Sequence, residues 1–121
     1  MATTLVKIDI HLIFHVKSTS VKVREEDLPR LFAYIGGTIR SLGATAIEVG
    51  GMPDHVHILT TLPKTVAAAD FVRAVKAESS KWLKTVAPHY NSFAWQAGYG
   101  AFSVSASLLD TVVRYIRRQA E

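Results

Sequence analysis

No cysteine occurs in this chain of 121 residues. Disulfides, thiolate metal sites and cysteine nucleophiles are therefore excluded, and the composition suits a reducing compartment, so a cytoplasmic protein is expected. Nor does any apolar run approach the roughly 20 residues that span a bilayer. Met1-Ala2-Thr3-Thr4 lacks the charged start and cleavage signal of a secretory leader. Repeats, low-complexity tracts and linkers are missing too. Charged residues are scarce, 20% against 49% hydrophobic, which is the balance of a packed core and not of a disordered chain. A single domain over 1–121 is expected.

The 14 Lys+Arg against 10 Asp+Glu leave a net charge of +4, which permits an anionic polymer as partner without demanding one. Placement says more than the sum. Arg114, Arg117 and Arg118 crowd the end of the chain, and Lys76, Lys81 and Lys84 recur on an earlier helical segment.

The organising stretch is Gly50-Gly51-Met52-Pro53-Asp54-His55-Val56-His57-Ile58-Leu59. Its glycines, proline and aspartate predict a tight turn, and the β-branched run from Val56 to Leu62 predicts a strand. Strand side chains alternate, so His55 and His57 share a face, about 7 Å apart along the strand, while Val56, Ile58, Thr60 and Leu62 point to a core. Two imidazoles on a rigid strand are half of a divalent-metal site. They are equally the pattern of solvent-facing polar residues opposite a buried face, and the pair alone leaves both readings open. A histidine-triad hydrolase motif is excluded by Leu59, which stands where its third histidine belongs.

Residues 5–16 alternate as a one-face-buried strand, with Ile8, Ile10, Leu12, Phe14 and Val16 inward and Lys7, Asp9, His11 and His15 outward. His11 and His15 could line a site or be merely solvated. Val21-Lys22-Val23 could return as a short hairpin arm. Glu25-Glu26-Asp27 precedes Leu28, Leu31, Phe32, Ile35, Ile39 and Leu42, an amphipathic helix stopped by Gly43. Gly36-Gly37 inside it predicts close packing of another element. Residues 44–49 read as a strand. A second helix opens near Thr65, a plausible cap, carries Ala68, Phe71, Val72, Val75, Trp82, Leu83 and Val86 on its apolar stripe, and closes at Pro88. Ser79, Ser80 and its lysines fall off that stripe. Residues 93–105, aromatic and glycine-punctuated, read as a bulged strand with Trp95 and Phe102 in the core; aromatics near basic residues can also stack unpaired bases. Ser105 or Ser107 caps a last helix with Leu108, Val112, Tyr115 and Gln119 on one side. Split βαβ units in this order predict a ferredoxin-like βαββαβ antiparallel sheet with helices on one face. The extra C-terminal helix carries Tyr115 and could pack on a partner chain.

Taken together, residues 51–59, 76–83 (Lys-Ala-Glu-Ser-Ser-Lys-Trp-Leu), 93–105 and 115–119 (Tyr-Ile-Arg-Arg-Gln) resemble the IS200/IS605-type transposases, the single-tyrosine HUH group. The resemblance covers nearly the whole chain. It implies cleavage and rejoining of single-stranded DNA at hairpin ends. Tyr115 would be the nucleophile that forms a 5′-phosphotyrosine, and His55, His57 and Gln119 would be ligands of Mg2+ or Mn2+. It implies a homodimer in which the tyrosine helix can complete the partner's site. Lys76, Lys81, Arg114 and Arg118 are the expected phosphate contacts. The chain departs from the family at His15-Val16-Lys17-Ser18 and in the two residues after Gln119, where the final helix is expected to end early. Two other classes compete: a non-cleaving, domesticated DNA- or RNA-binding dimer, and a metal-dependent phosphodiesterase without a covalent step.

Overall fold

The computed structural model describes residues 7–120; the parts of the expected first strand contributed by Leu5 and Val6 lie outside them. The elements in order are β1 (Asp9–His15), α1 (Leu28–Ser41), β2 (Ala46–Met52), β3 (His55–Thr61), α2 (Ala68–Val86), β4 (Gly100–Ser103) and α3 (Leu109–Arg117), with short 3-10 turns between some of them. The strands form one antiparallel sheet in the order β2-β3-β1-β4. This is the ferredoxin-like arrangement expected from the sequence.

Period-2 patterning builds the core. Ile10, Leu12, Phe14 and Val16 from β1 and its continuation, with Val56 and Ile58 from β3, meet Leu31, Ile35 and Ile39 of α1 and Phe71, Val72, Val75 and Leu83 of α2. Each such buried side chain contributes about 1.5–3 kcal/mol relative to exposure. Tyr90 seals one end: it donates a hydrogen bond to the buried carboxylate of Asp27 and accepts one from the Arg24 amide. Burial and the Asp27 bond both push its phenol pKa up.

Several local expectations fail, each for a visible reason. Ile8 is exposed, one residue short of β1. Residues 21–23 form no strand; Val23 instead donates its amide to the Pro53 carbonyl and buries its side chain. Gly50 and Gly51 lie in β2 rather than in the turn, which is confined to Pro53 and Asp54. The second helix starts after Ala67, not at Thr65. Ser79 is buried on its inner side, donating to the Val75 carbonyl and accepting from the Trp95 indole. Gly36 and Gly37 are not crowded by another element: a Cβ at Gly36 would meet nothing nearer than the Arg40 guanidinium at 3.4 Å. Of 93–105 only Gly100–Ser103 is strand, with Trp95 bridging singly to Val16. Phe102 is 57% exposed and so is no core residue. Neither Ser105 nor Ser107 caps α3 by a side-chain bond; their hydroxyls bond each other instead.

The last helix has a place on its own sheet. α1 and α2 cover one face, and α3 lies on the other, against β2 and β3. Ile116, 1% exposed, is its anchor. Its Cγ2 and carbonyl sit where a Cβ at Gly50 would be, at 2.7 and 3.0 Å. Gly50 is thus a keyhole for α3. Arg117, itself largely exposed, adds an ion pair to the mostly buried Glu48 of β2 at 3.3 Å.

Candidate active site

Beneath α3, the outward residues of β1 and β3 form a cluster of imidazoles. Antiparallel register sets His15 opposite His55 and brings His11 diagonally to His57. The His15 and His55 rings lie 5.6 Å apart and those of His55 and His57 5.1 Å apart. His11 Nε2 is 3.0 Å from His57 Nδ1. Pairing His11 and His15 with β3 histidines needs the register, which periodicity alone does not supply.

Tyr115 stands over this cluster. Its ring meets His57 edge-on at 5.5 Å and His11 at 6.2 Å. The residue is 52% exposed. Gln119, on the 3-10 turn that ends the helix, donates from Nε2 to the Tyr115 carbonyl at 3.1 Å. That bond leaves Oε1 3.3 Å from His55 Nε2.

These contacts set the protonation states. Asp54 Oδ1 lies 2.8 Å from His55 Nδ1, fixing the ring and its proton on that side; the bond holds the Asp54 carboxyl below its usual range. The other ring nitrogen, His55 Nε2, faces Gln119 Oε1. Burial first, then repulsion from His11, His55 and His15, pushes His57 down to about 4, so at neutral pH it is an unprotonated, ligand-competent imidazole. With Nδ1 taken by His11, its Nε2 is the nitrogen left to offer. Burial lowers His11 as well. Among the described residues no three His, Asp or Glu side chains converge as a metal-holding group, and the oxygen beside the His55 and His57 pair is Oε1 of Gln119. Two imidazole nitrogens and an amide oxygen suit a divalent ion of intermediate to hard character.

The expected DNA contacts are dispersed. Arg114 and Arg118 are exposed near Tyr115 on α3 and the turn after it. Lys81 is exposed on α2, the layer across the sheet. Lys76 reaches round the sheet edge and donates to the carbonyls of Gln96 and Gly98 at 2.8 and 2.6 Å, so it holds a loop.

Comparison with known proteins follows the same lines. A family model described as "Transposase IS200 like" matches residues 4–119. The chain is 26% identical over 118 residues to the ISDra2 transposase TnpA of Deinococcus radiodurans, covering 93% of this chain and 84% of that protein. A crystal structure of a candidate transposase from Deinococcus radiodurans R1 superposes with a TM-score of 0.75 at 23% identity, over 98% of this chain and 95% of that one. A REP-associated tyrosine transposase bound to a REP hairpin gives 0.66 at 14% identity, over 96% and 68%. At these identities the two structures attest the shared fold.

Proposed function

The chain belongs to the IS200-like, single-tyrosine transposase family, and from that premise we propose that it cuts and rejoins single-stranded DNA by covalent catalysis at Tyr115. The observation that carries this reading is the meeting of Tyr115 and Gln119, one helical turn apart, with His55 and His57 in one open cluster. The phenolate oxygen of Tyr115 attacks phosphorus, the bond from phosphorus to the 3′-oxygen breaks, and that oxygen leaves as a 3′-hydroxyl after taking up a proton. A 5′-phosphotyrosine remains. Attack on it by another 3′-hydroxyl restores the phenol and a phosphodiester, so no external energy source is required.

His55, His57 and Gln119 are the residues that would hold Mg2+ or Mn2+, which when bound supplies Lewis-acid polarisation of the phosphate. Asp54 orients His55, and His11 orients His57. Arg114 and Arg118 hold backbone phosphates beside the tyrosine, which makes binding salt-dependent. Lys81 meets nucleic acid only beyond the site, and Lys76 acts indirectly, through the loop it pins. The substrate is a hairpin-bearing strand, and the working form is a homodimer of one-domain (1–121) chains in the cytoplasm; no helix among the described residues is long and apolar enough to cross a membrane.

The deciding experiment incubates purified protein and Mn2+ with labelled single-stranded hairpin DNA and looks for a covalent adduct in a denaturing gel. Wild type forms it. Tyr115→Phe lowers its yield by at least about 10³-fold, the scale of losing a nucleophile. An adduct that persists in Tyr115→Phe refutes the assignment, whereas tight binding with no adduct returns the chain to the non-cleaving class.

A further inference from the structure

Beside the histidine cluster runs a trough of about 290 Å³. Its floor is Ile13 and Gly100, which are register partners on β1 and β4. Its walls are Phe102, Tyr99 and the loop from Gln96 to Gly98. Gly100 shapes it, because a Cβ there would stand 3.2 Å from Phe102 Cε2, so the missing side chain lets that ring lie across the strand.

Three features bear on what the trough takes. Its two rings are unusually bare, Phe102 at 57% and Tyr99 at 42% exposure, beside a cluster of histidines. No lysine or arginine lines it, so it offers little to a phosphate; the side chains that can hydrogen-bond are His15, Gln96 and the Tyr99 hydroxyl. Its wall is held in advance. The Lys76 ammonium pins the Gln96 and Gly98 carbonyls, the Gln96 amide donates to the His15 carbonyl at 2.7 Å, and Gly98 takes φ +88° to close the loop. Such pre-ordering lowers the cost of binding.

The trough is also continuous with the chemistry. His15 lines it and lies 5.6 Å, ring to ring, from His55, while the Phe102 ring is 6.5 Å from His11. A strand whose phosphate rests under Tyr115 therefore passes the trough's mouth within a nucleotide step. We propose that the trough seats one unpaired nucleobase adjoining the cut phosphate, stacked on Phe102 and contacted at its edge by Gln96 and His15. This builds on the single-strand cleavage reading above. It makes Phe102 and Gln96 determinants of which base flanks the cut. It also gives Lys76 a role that is structural toward the loop and only thereby felt by DNA.

The test measures fluorescence anisotropy with two probes of equal length and charge, a short oligodeoxythymidylate and its abasic counterpart. Wild type should bind the base-bearing strand more tightly. Phe102→Ala, and Tyr99→Ala as a second exposed variant, should weaken that strand, Phe102→Ala by about tenfold, with little change on the abasic strand. A strand containing 5-iododeoxyuridine, photolysed on the protein, should crosslink to the peptide holding Tyr99 and Phe102. Equal binding of both probes by wild type and Phe102→Ala, or crosslinks confined to other peptides, overturns the base seat while leaving the Tyr115 adduct as separate support for cleavage. If wild type binds neither probe and forms no adduct, the cleavage reading falls first and the base seat with it.

Discussion

The two faces of the sheet are built from the same strands to opposite ends. On the inner face, Leu12, Phe14, Val56 and Ile58 are sealed under two long helices in a largely apolar core. On the outer face, His15 is exposed, and His11, His55 and His57 are covered by the nine-residue α3 and the turn after it, held by the Ile116–Gly50 contact. Stability is thus concentrated on one side and the proposed chemistry on the other, one residue apart along the chain. Val56 and His57 are neighbours in sequence, yet their expected losses differ in kind.

Substitutions can break or sharpen that contrast. The largest effect on stability is expected from Ile58→Ala, which opens a cavity in the fully buried core and should cost about 2–5 kcal/mol, read as a fall in the chemical-denaturation midpoint. The histidine face should answer differently to Gly50→Ala. Its methyl would stand 2.7 Å from Ile116 Cγ2, so α3 must lift, costing about 1–3 kcal/mol locally. Hydrogen exchange should speed up in α3 alone, with adduct yield falling while β1 and β3 stay protected. Unchanged α3 protection would show that the helix is not seated on Gly50. The smallest effect, and one of opposite sign, is expected at Gly36→Ala. Its Cβ has room beside Arg40 and Ala46, so helix propensity should add about 0.5–1 kcal/mol without touching cleavage. A destabilised Gly36→Ala would instead restore close packing as the reason for that glycine.

The comparison also marks what a sequence can disclose. Strands β1 and β3 and the faces of both long helices follow from spacing, because burial on one side imposes periods of two and of three to four. His55, His57, Tyr115 and Gln119 were legible as a resemblance, and the structure brings these four together. What escaped depends on partners distant in the chain. Gly50 and Gly51 look like turn residues, but Gly50 is small because Ile116 lies on it. Gly51 holds φ +150°, where a Cβ would run into the His55 carbonyl. Phe102 looks like core because it is large and apolar; only the register of β4 on β1 puts it on the histidine face. His11 and His15 looked ambiguous until antiparallel pairing set them beside β3.

Gln119 is fastened by its own amide to the backbone of the residue that bears the phenol. On the proposed reading, in which Tyr115 attacks and Gln119 is the third donor, the two are therefore mechanically one part, an interlock rather than two independent components. Whatever displaces the helix withdraws both at once, leaving a bare pair of imidazoles that can neither grip an ion well nor start a cut. A half-assembled centre, armed with metal but lacking its tyrosine and free to hydrolyse DNA with water, is a state this linkage disfavours.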